Sequence, residues 1–297
     1  MQIGVDWGGT KIETIVLAND GATLWRQRVA TPREDYVASV RATVELVLRA
    51  ERETGESGTV GIGIPGVVVP GTGLVKNANS TWLIGKPFKA DVESLLGREI
   101  RCANDANCLA LSEAADGAGA GERIVFAAIL GTGCGGGIAV DGAVHEGNRG
   151  VAGEWGHNPL PWQTAGEHPG PSCYCGRRGC LETWISGRAF EREYAERQGE
   201  RVSAAIVAQR AANGEPDAVA VLAAYQDRLA RGLAHVVNLL DPDVIVLGGG
   251  MSNVAQLYRA LPPLVDDYVF GHGGAAAIVP AAHGDSSGVR GAARLWT

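Results

Sequence analysis

Five segments of this 297-residue chain carry side chains able to handle phosphate, a proton or a metal. In Asp6-Trp7-Gly8-Gly9-Thr10-Lys11, glycines let main-chain N–H groups face phosphate oxygens, Thr10 adds a hydroxyl and Lys11 a positive charge. Asp6, at the end of an apolar run, is placed to hold Mg²⁺ through water, because that ion keeps much of its hydration shell. The glycine spacing fits neither a Walker A loop nor a dinucleotide fingerprint. Alone, the segment also suits an ordinary tight hairpin. A second run, Gly131-Thr132-Gly133-Cys134-Gly135-Gly136-Gly137, strengthens the phosphate reading, since two such turns can hold a polyphosphate from both sides.

Asn104-Asp105-Ala106-Asn107 opens a predicted helix. Asp105 could be no more than a cap there. Its chemical role would be general base: phosphoryl transfer to an alcohol needs a carboxylate within reach of the attacking hydroxyl. Asn104 would then hold a neighbouring hydroxyl. Cys173, Cys175 and Cys180, with His157 upstream, supply three thiolates and an imidazole, a closed tetrahedral set that suits structural Zn²⁺. Such a cluster in a cytosolic chain points to metal rather than disulfides. Glu154 and Glu182 flank these ligands, and a metal staple could turn both carboxylates toward one substrate. Gly249 and Gly250, after an apolar strand, suit close passage of a nucleotide, though such strand ends are common.

The elements that must position these residues repeat. A strand, the first glycine turn and a second strand span residues 3–17, with a third strand near 23–29. A helix is predicted over 36–52, with Val37, Val40, Val44, Val47 and Leu48 on one face. Strands near 59–64 and 99–102 and a helix over 106–115 follow. At Ile124 the strand–turn–strand pattern begins again, a weak internal duplication. The Gly-, Pro- and Trp-rich stretch 148–180 has no periodicity, as expected of a functional or metal-stapled loop. Helices resume near 187–197, 203–212 and 216–240. A buried strand near 244–247, a helix opening at Asn253 and a last helix over 287–296 complete the reading.

Hydrophobic residues make up 45% and charged residues 20%, enough for a packed core. The net charge of -7 disfavours nucleic acid and anionic membranes as partners. No apolar run approaches a bilayer span and no signal-peptide pattern opens the chain, so a cytoplasmic protein is expected.

Taken together the motifs resemble the bacterial ROK sugar kinases. The likeness is carried by 6–11, Gly61-Ile62-Gly63-Ile64-Pro65-Gly66, 104–107, 131–137, 154–157, 173–182 and 246–251, nearly end to end. It implies an α/β protein of the two-lobed actin/hexokinase-like ATPase fold, with duplicated ribonuclease H-like domains around a cleft. Residues 1–115 with the terminal helix 286–297 would form one lobe and 116–285 the larger one. It implies that Asp105 is the base, and that Gly66, Asn79, Asn104, Glu154, His157 and Glu182 line the sugar. His157 would serve zinc with one ring nitrogen and sugar with the other. Gly8, Gly9, Thr10 and Lys11 with Gly131, Thr132, Gly133, Cys134 and Gly135 would clamp the phosphates of ATP, and Gly249 and Gly250 would border its adenosine. It further implies a homodimer. Trp7 departs from the family's small or aliphatic residue at that place.

Within the family, Val75–Trp82 and His283–Ala292 look like fructokinases and mannokinases, so phosphorylation of D-fructose, and of D-mannose, at the 6-hydroxyl is the first expectation. Trp82 would then narrow the pocket against a 2-acetamido group. N-acetylglucosamine kinases and glucokinases are the alternatives. The family's repressors carry an N-terminal helix-turn-helix; with a first strand at Ile3, none is expected here.

Overall fold

The computed structural model describes residues 1–78, 80–271, 274 and 276–297, with Asp285 described by its backbone alone. These form a mixed α/β protein of two compact units. Residues 1–121, 137–152 and 285–297 make the first, and 122–136 with 153–284 the second.

In the first unit β1 (Gln2–Trp7) and β2 (Lys11–Leu17) form an antiparallel hairpin around the first glycine turn. β3 (Thr23–Ala30) continues the meander. After α1 (Tyr36–Thr54), β4 (Thr59–Ile64) enters parallel to β1. A short hairpin, β5 (Val67–Val68) and β6 (Val75–Lys76), and helix α2 (Phe88–Leu96) precede β7 (Arg101–Asn104), which lies parallel to β4. The sheet order is β3-β2-β1-β4-β7. Central β1 and β4 are covered on both faces and read as near-continuous apolar runs; edge β3 alternates and leaves its arginines accessible. α1 is capped by the Asp35 carboxylate, which accepts from Ala38 N–H at 2.9 Å. It buries Val40, Val44, Val47 and Ala50. Val37 and Leu48, expected on that face, are 56% and 39% exposed because they flank the stripe rather than lie within it.

α3 (Asp105–Asp116) leads to β8 (Ile124–Leu130), β9 (Cys134–Val140) and β10 (Ala143–Val144). α4 (Glu182–Ile185), α5 (Gly187–Gln198), α6 (Ala204–Ala212) and the long α7 (Pro216–Leu240) precede β11 (Val244–Gly248), α8 (Gln256–Asp266) and β12 (Ala277–Pro280). The second sheet runs β10-β9-β8-β11-β12, with β11 parallel to both neighbours, and repeats the first strand for strand. The sequence showed only the strand–turn–strand half of this repeat; α2 and β12 were missed. Residues 137–152, assigned from sequence to the second lobe, group with the first unit because β10 packs on α3. Among the described residues no helix is long and apolar enough to cross a membrane.

The last helix, α9 (Ser287–Ala293), packs on β1, β4 and α3. It ends earlier than expected, in a 3-10 turn over Arg294–Trp296. The approach is main chain to main chain: a Cβ on Gly291 would lie 1.7 Å from the Cys108 carbonyl oxygen. Gly291→Ala must push α9 off α3, and overpacking of this kind costs about 1–3 kcal/mol. Thermal unfolding should show a midpoint lowered by several degrees; an unchanged midpoint would mean the helix yields freely.

Candidate active site

The first glycine turn is held from within. Gly8 N–H donates to the Lys11 carbonyl at 2.9 Å, and the Thr31 hydroxyl donates to the Gly8 carbonyl at 2.6 Å. Gly8 therefore has no N–H to offer a phosphate. Those of Gly9 and Thr10 have no partner among the described residues. Trp7, the departure from the family pattern, is 1% exposed and packs behind the turn against Trp82 and Phe88. Lys11 Nζ lies 3.9 Å from the buried carboxylate of Glu13, a residue the sequence reading passed over. Glu13 also pairs with Arg26 and Arg28, so Lys11 keeps positive charge to direct outward.

Asp6 is the penultimate residue of β1, half-buried. Burial first, then the negative charge of Asp105, raises its carboxyl from 3.8 to about 6, and Lys11 only partly offsets this. A cation at Asp6 would reverse that penalty, which is the fit expected of a Mg²⁺-holding carboxylate. Asp105 is the first residue of α3, but the cap is Asn104, whose Oδ1 accepts from Ala106 N–H at 2.9 Å. Asn104 Nδ2 also reaches the Gly66 carbonyl at 3.4 Å. Thus Asp6, Gly66, Asn104 and Asp105 meet at neighbouring strand ends of one sheet. Asn79 lies outside the described residues.

In the second unit the turn between β8 and β9 is equally tied. Gly131 N–H donates to Gly133 at 3.0 Å, and the Gly131 carbonyl accepts from Gly187 N–H at 2.7 Å. Cys134 N–H donates to Glu182 Oε2 at 3.0 Å, and the Gly135 carbonyl accepts from Trp155 Nε1 at 2.8 Å. Cys134, expected on phosphate, is engaged by Glu182 instead. The N–H groups of Thr132 and Gly133 have no partner among the described residues. Gly249 packs on the Leu130–Gly131 peptide and Gly250 borders open space.

His157, Cys173, Cys175 and Cys180 converge, with all four ligand atoms within 4.8 Å of one another. Cys173 Sγ lies 3.6 Å from His157 Nδ1, and Cys175 Sγ 3.7 Å from Cys180 Sγ. Edges of a tetrahedron built on Zn–S and Zn–N bonds would be about 3.8 and about 3.6 Å, so the set fits zinc. Gly176, at φ 88°, makes the knuckle turn that a side chain would strain, with Cys173 N–H on the Arg177 carbonyl. His157 Nε2, expected on sugar, faces the Tyr174 hydroxyl at 3.0 Å. Glu154 and Glu182 are brought together near Cys134: burial first, then both charges, hold that thiol well above its ordinary range. The surrounding loop is pinned by a pairing the sequence did not signal. Desolvation alone would raise Glu167, but hydrogen bonds from Arg231, the Thr164 N–H and Arg228 outweigh it and hold the carboxyl at about 2. Arg231, 2% exposed, also donates to the Pro161 and Trp162 carbonyls.

The ROK family model matches residues 2–297. The chain belongs to the ROK family. It is 43% identical, over its whole length and 99% of the other's, to the N-acetyl-D-glucosamine kinase of Pasteurella multocida. It is 41% identical, again over its whole length and 99% of the other's, to that of Haemophilus influenzae. The ROK hexokinase of Thermus thermophilus shares 34% identity and a TM-score of 0.87, over 98% of this chain and 96% of that one. A ROK glucokinase of Streptomyces griseus, solved with glucose and AMPPNP, shares 31% and 0.82, over 99% and 98%. The protein is therefore an ATP-dependent sugar kinase of the ROK family with the actin-like ATPase fold.

Asp6 carries a measurable tension. Its stabilising contribution is complete below its ordinary 3.8 and is lost as pH rises through about 6, where the fold must hold the ionised form. Asp6→Asn in magnesium-free buffer should therefore raise the unfolding midpoint at pH 8, by a gain on the order of 1–3 kcal/mol, and raise it less at pH 4. A lower midpoint at pH 8 would contradict the burial argument.

Proposed function

We propose that this ROK kinase transfers the γ-phosphoryl group of ATP to the 6-hydroxyl of N-acetyl-D-glucosamine. The observation that carries this reading is identity above 40%, across the full chain, to two kinases named for that sugar. D-fructose, with D-mannose, stood first on motif likeness at 75–82 and 283–292, and the relatives favour the alternative. One argument against a 2-acetamido group also loses its basis. The Trp82 ring is turned into the core of the first unit, 6.0 Å from Trp7 and tilted 58° to it.

Asp105 would accept the proton of the attacking hydroxyl while Asn104, fixed by Ala106 and Gly66, holds a neighbouring one. Gly66 and Asn79 would line the same sugar. Glu154 and the remaining oxygen of Glu182 would take further hydroxyls, and His157 would join them only where a sugar hydroxyl replaces Tyr174 on its Nε2. The N–H groups of Gly9, Thr10, Thr132 and Gly133, with Lys11, would bind phosphate oxygens. Gly249 and Gly250 would leave room for the adenosine. A Mg²⁺ at Asp6 would supply charge neutralisation on the phosphates. A Zn²⁺ held by His157, Cys173, Cys175 and Cys180 would supply order, with no coordination position left open for chemistry.

Coupled ADP release tests this across N-acetylglucosamine, glucose, mannose and fructose. kcat/KM should be highest for N-acetylglucosamine; a higher value for fructose would restore the other reading. Asp105→Asn should lower kcat by about 10²- to 10⁴-fold while sugar still binds. Near-normal kcat would mean another group is the base.

A further inference from the structure

Three glycines at the seat of α9 are explained by packing, and a fourth is not. A Cβ on Gly4 would lie 2.1 Å from the Val289 carbonyl oxygen. One on Gly61, its register partner in β4, would lie 1.9 Å from the Ala292 carbonyl oxygen. On the helix itself, Gly291 meets the Cys108 carbonyl in the same way. Main chain rests on main chain at all three places. Side chains fix the helix further: the Ser287 hydroxyl donates to Glu113 Oε1 at 2.8 Å, and Arg290 Nη2 to Asp116 Oδ2 at 2.7 Å. This seat leaves α9 little freedom to shift.

Gly288 is the exception. It is the second residue of α9 and does not have a positive φ, so its conformation does not call for glycine. In a helix glycine is the poorest residue after proline. Packing does not call for it either. Among the described residues, the three heavy atoms nearest to a Cβ there all belong to Asp6: Cγ and Oδ1 at 3.8 Å and Oδ2 at 4.0 Å. Those are ordinary contact distances, so a methyl group would fit without a clash. What it would occupy is the space beside both carboxylate oxygens. Gly288 and Asp6 are both half-buried, so water can reach that space. A carboxylate that holds Mg²⁺ through water needs water-sized room at its oxygens, because that ion dehydrates reluctantly. With α9 seated this tightly, the room cannot come from movement of the helix and has to be built into the sequence.

We propose that Gly288 is a positioning residue for the metal: by lacking a side chain, it keeps the space in which Asp6 can hold a hydrated divalent cation. This rests on the reading of Asp6 as the magnesium-holding carboxylate.

The test measures the Kd of ADP by calorimetry, with Mg²⁺ and with EDTA, for wild type, Gly288→Ala and Asp6→Asn, and the unfolding midpoint of each. Wild type should bind ADP more tightly with Mg²⁺. Gly288→Ala should weaken the Mg²⁺-dependent binding roughly 10- to 100-fold, as loss of an outer-sphere contact does, and leave the Kd in EDTA unchanged. Its midpoint should not fall, in contrast to Gly291→Ala. Equal weakening with and without Mg²⁺ would overturn the proposal, because the methyl group would then disturb the nucleotide or the fold rather than the ion. So would a Mg²⁺-dependent gain that survives in Gly288→Ala but is lost in Asp6→Asn, an outcome that leaves the reading of Asp6 standing. If wild type shows no gain, or Asp6→Asn keeps it, the reading of Asp6 fails and this proposal fails with it.

Discussion

The hydrogen bond from Cys134 N–H to Glu182 is the tie on which the shape of the second unit's glycine turn depends. Glu182 opens α4 two residues after Cys180, so the position of the cysteine cluster sets the position of its carboxylate. That carboxylate fastens the strand leaving the glycine turn, and the Gly187 N–H fastens the other side through the Gly131 carbonyl. A hydrogen bond to a charged group contributes about 1.5–3 kcal/mol, enough to hold a glycine-rich turn in one shape. In the proposed reading, the N–H groups of Thr132 and Gly133, which have no partner among the described residues, would be held ready for phosphate rather than ordered at each turnover.

The first unit solves the matching problem by different means. Its turn needs no metal, because Thr31 and the Gly8–Lys11 bond close it from within. Its strain lies in Asp6, a carboxylate held near another carboxylate at the end of a buried strand. A group kept in an unfavourable state by burial and a like charge is a frequent mark of a functional site. Glu13 plays the opposite part: it is buried but satisfied by Arg26 and Arg28, and it steadies Lys11 without neutralising it.

The glycine turns, the helix start at Asp105 and the convergence of the cysteine cluster were legible in the sequence because they are local: spacing over a few residues decides which atoms can converge. The helices over 187–198 and 216–240 were legible because a 3.6-residue apolar period is local too. What stayed hidden depends on distant partners. Nothing near Arg231 announces that it will hold Glu167 and the Trp162 carbonyl more than sixty residues away. Nor does the run 131–137 reveal that a carboxylate forty-eight residues on engages the Cys134 N–H. Tyr174 was passed over because a residue between two metal ligands has no periodicity to stand out from. The expectation of D-fructose rested on motif likeness at 75–82 and 283–292, and the expectation that Trp82 narrows the pocket does not agree with its ring, which is turned toward Trp7.

The most direct test of this account is amide hydrogen exchange across residues 131–136 in wild type and Cys180→Ser, with metal content measured on the same samples. The account predicts that the variant loses its metal and that exchange quickens both in the knuckle around 171–182 and in the glycine turn. A metal-free variant whose glycine turn exchanges as slowly as wild type would contradict the claim that the cluster, acting through Glu182, holds that turn in place.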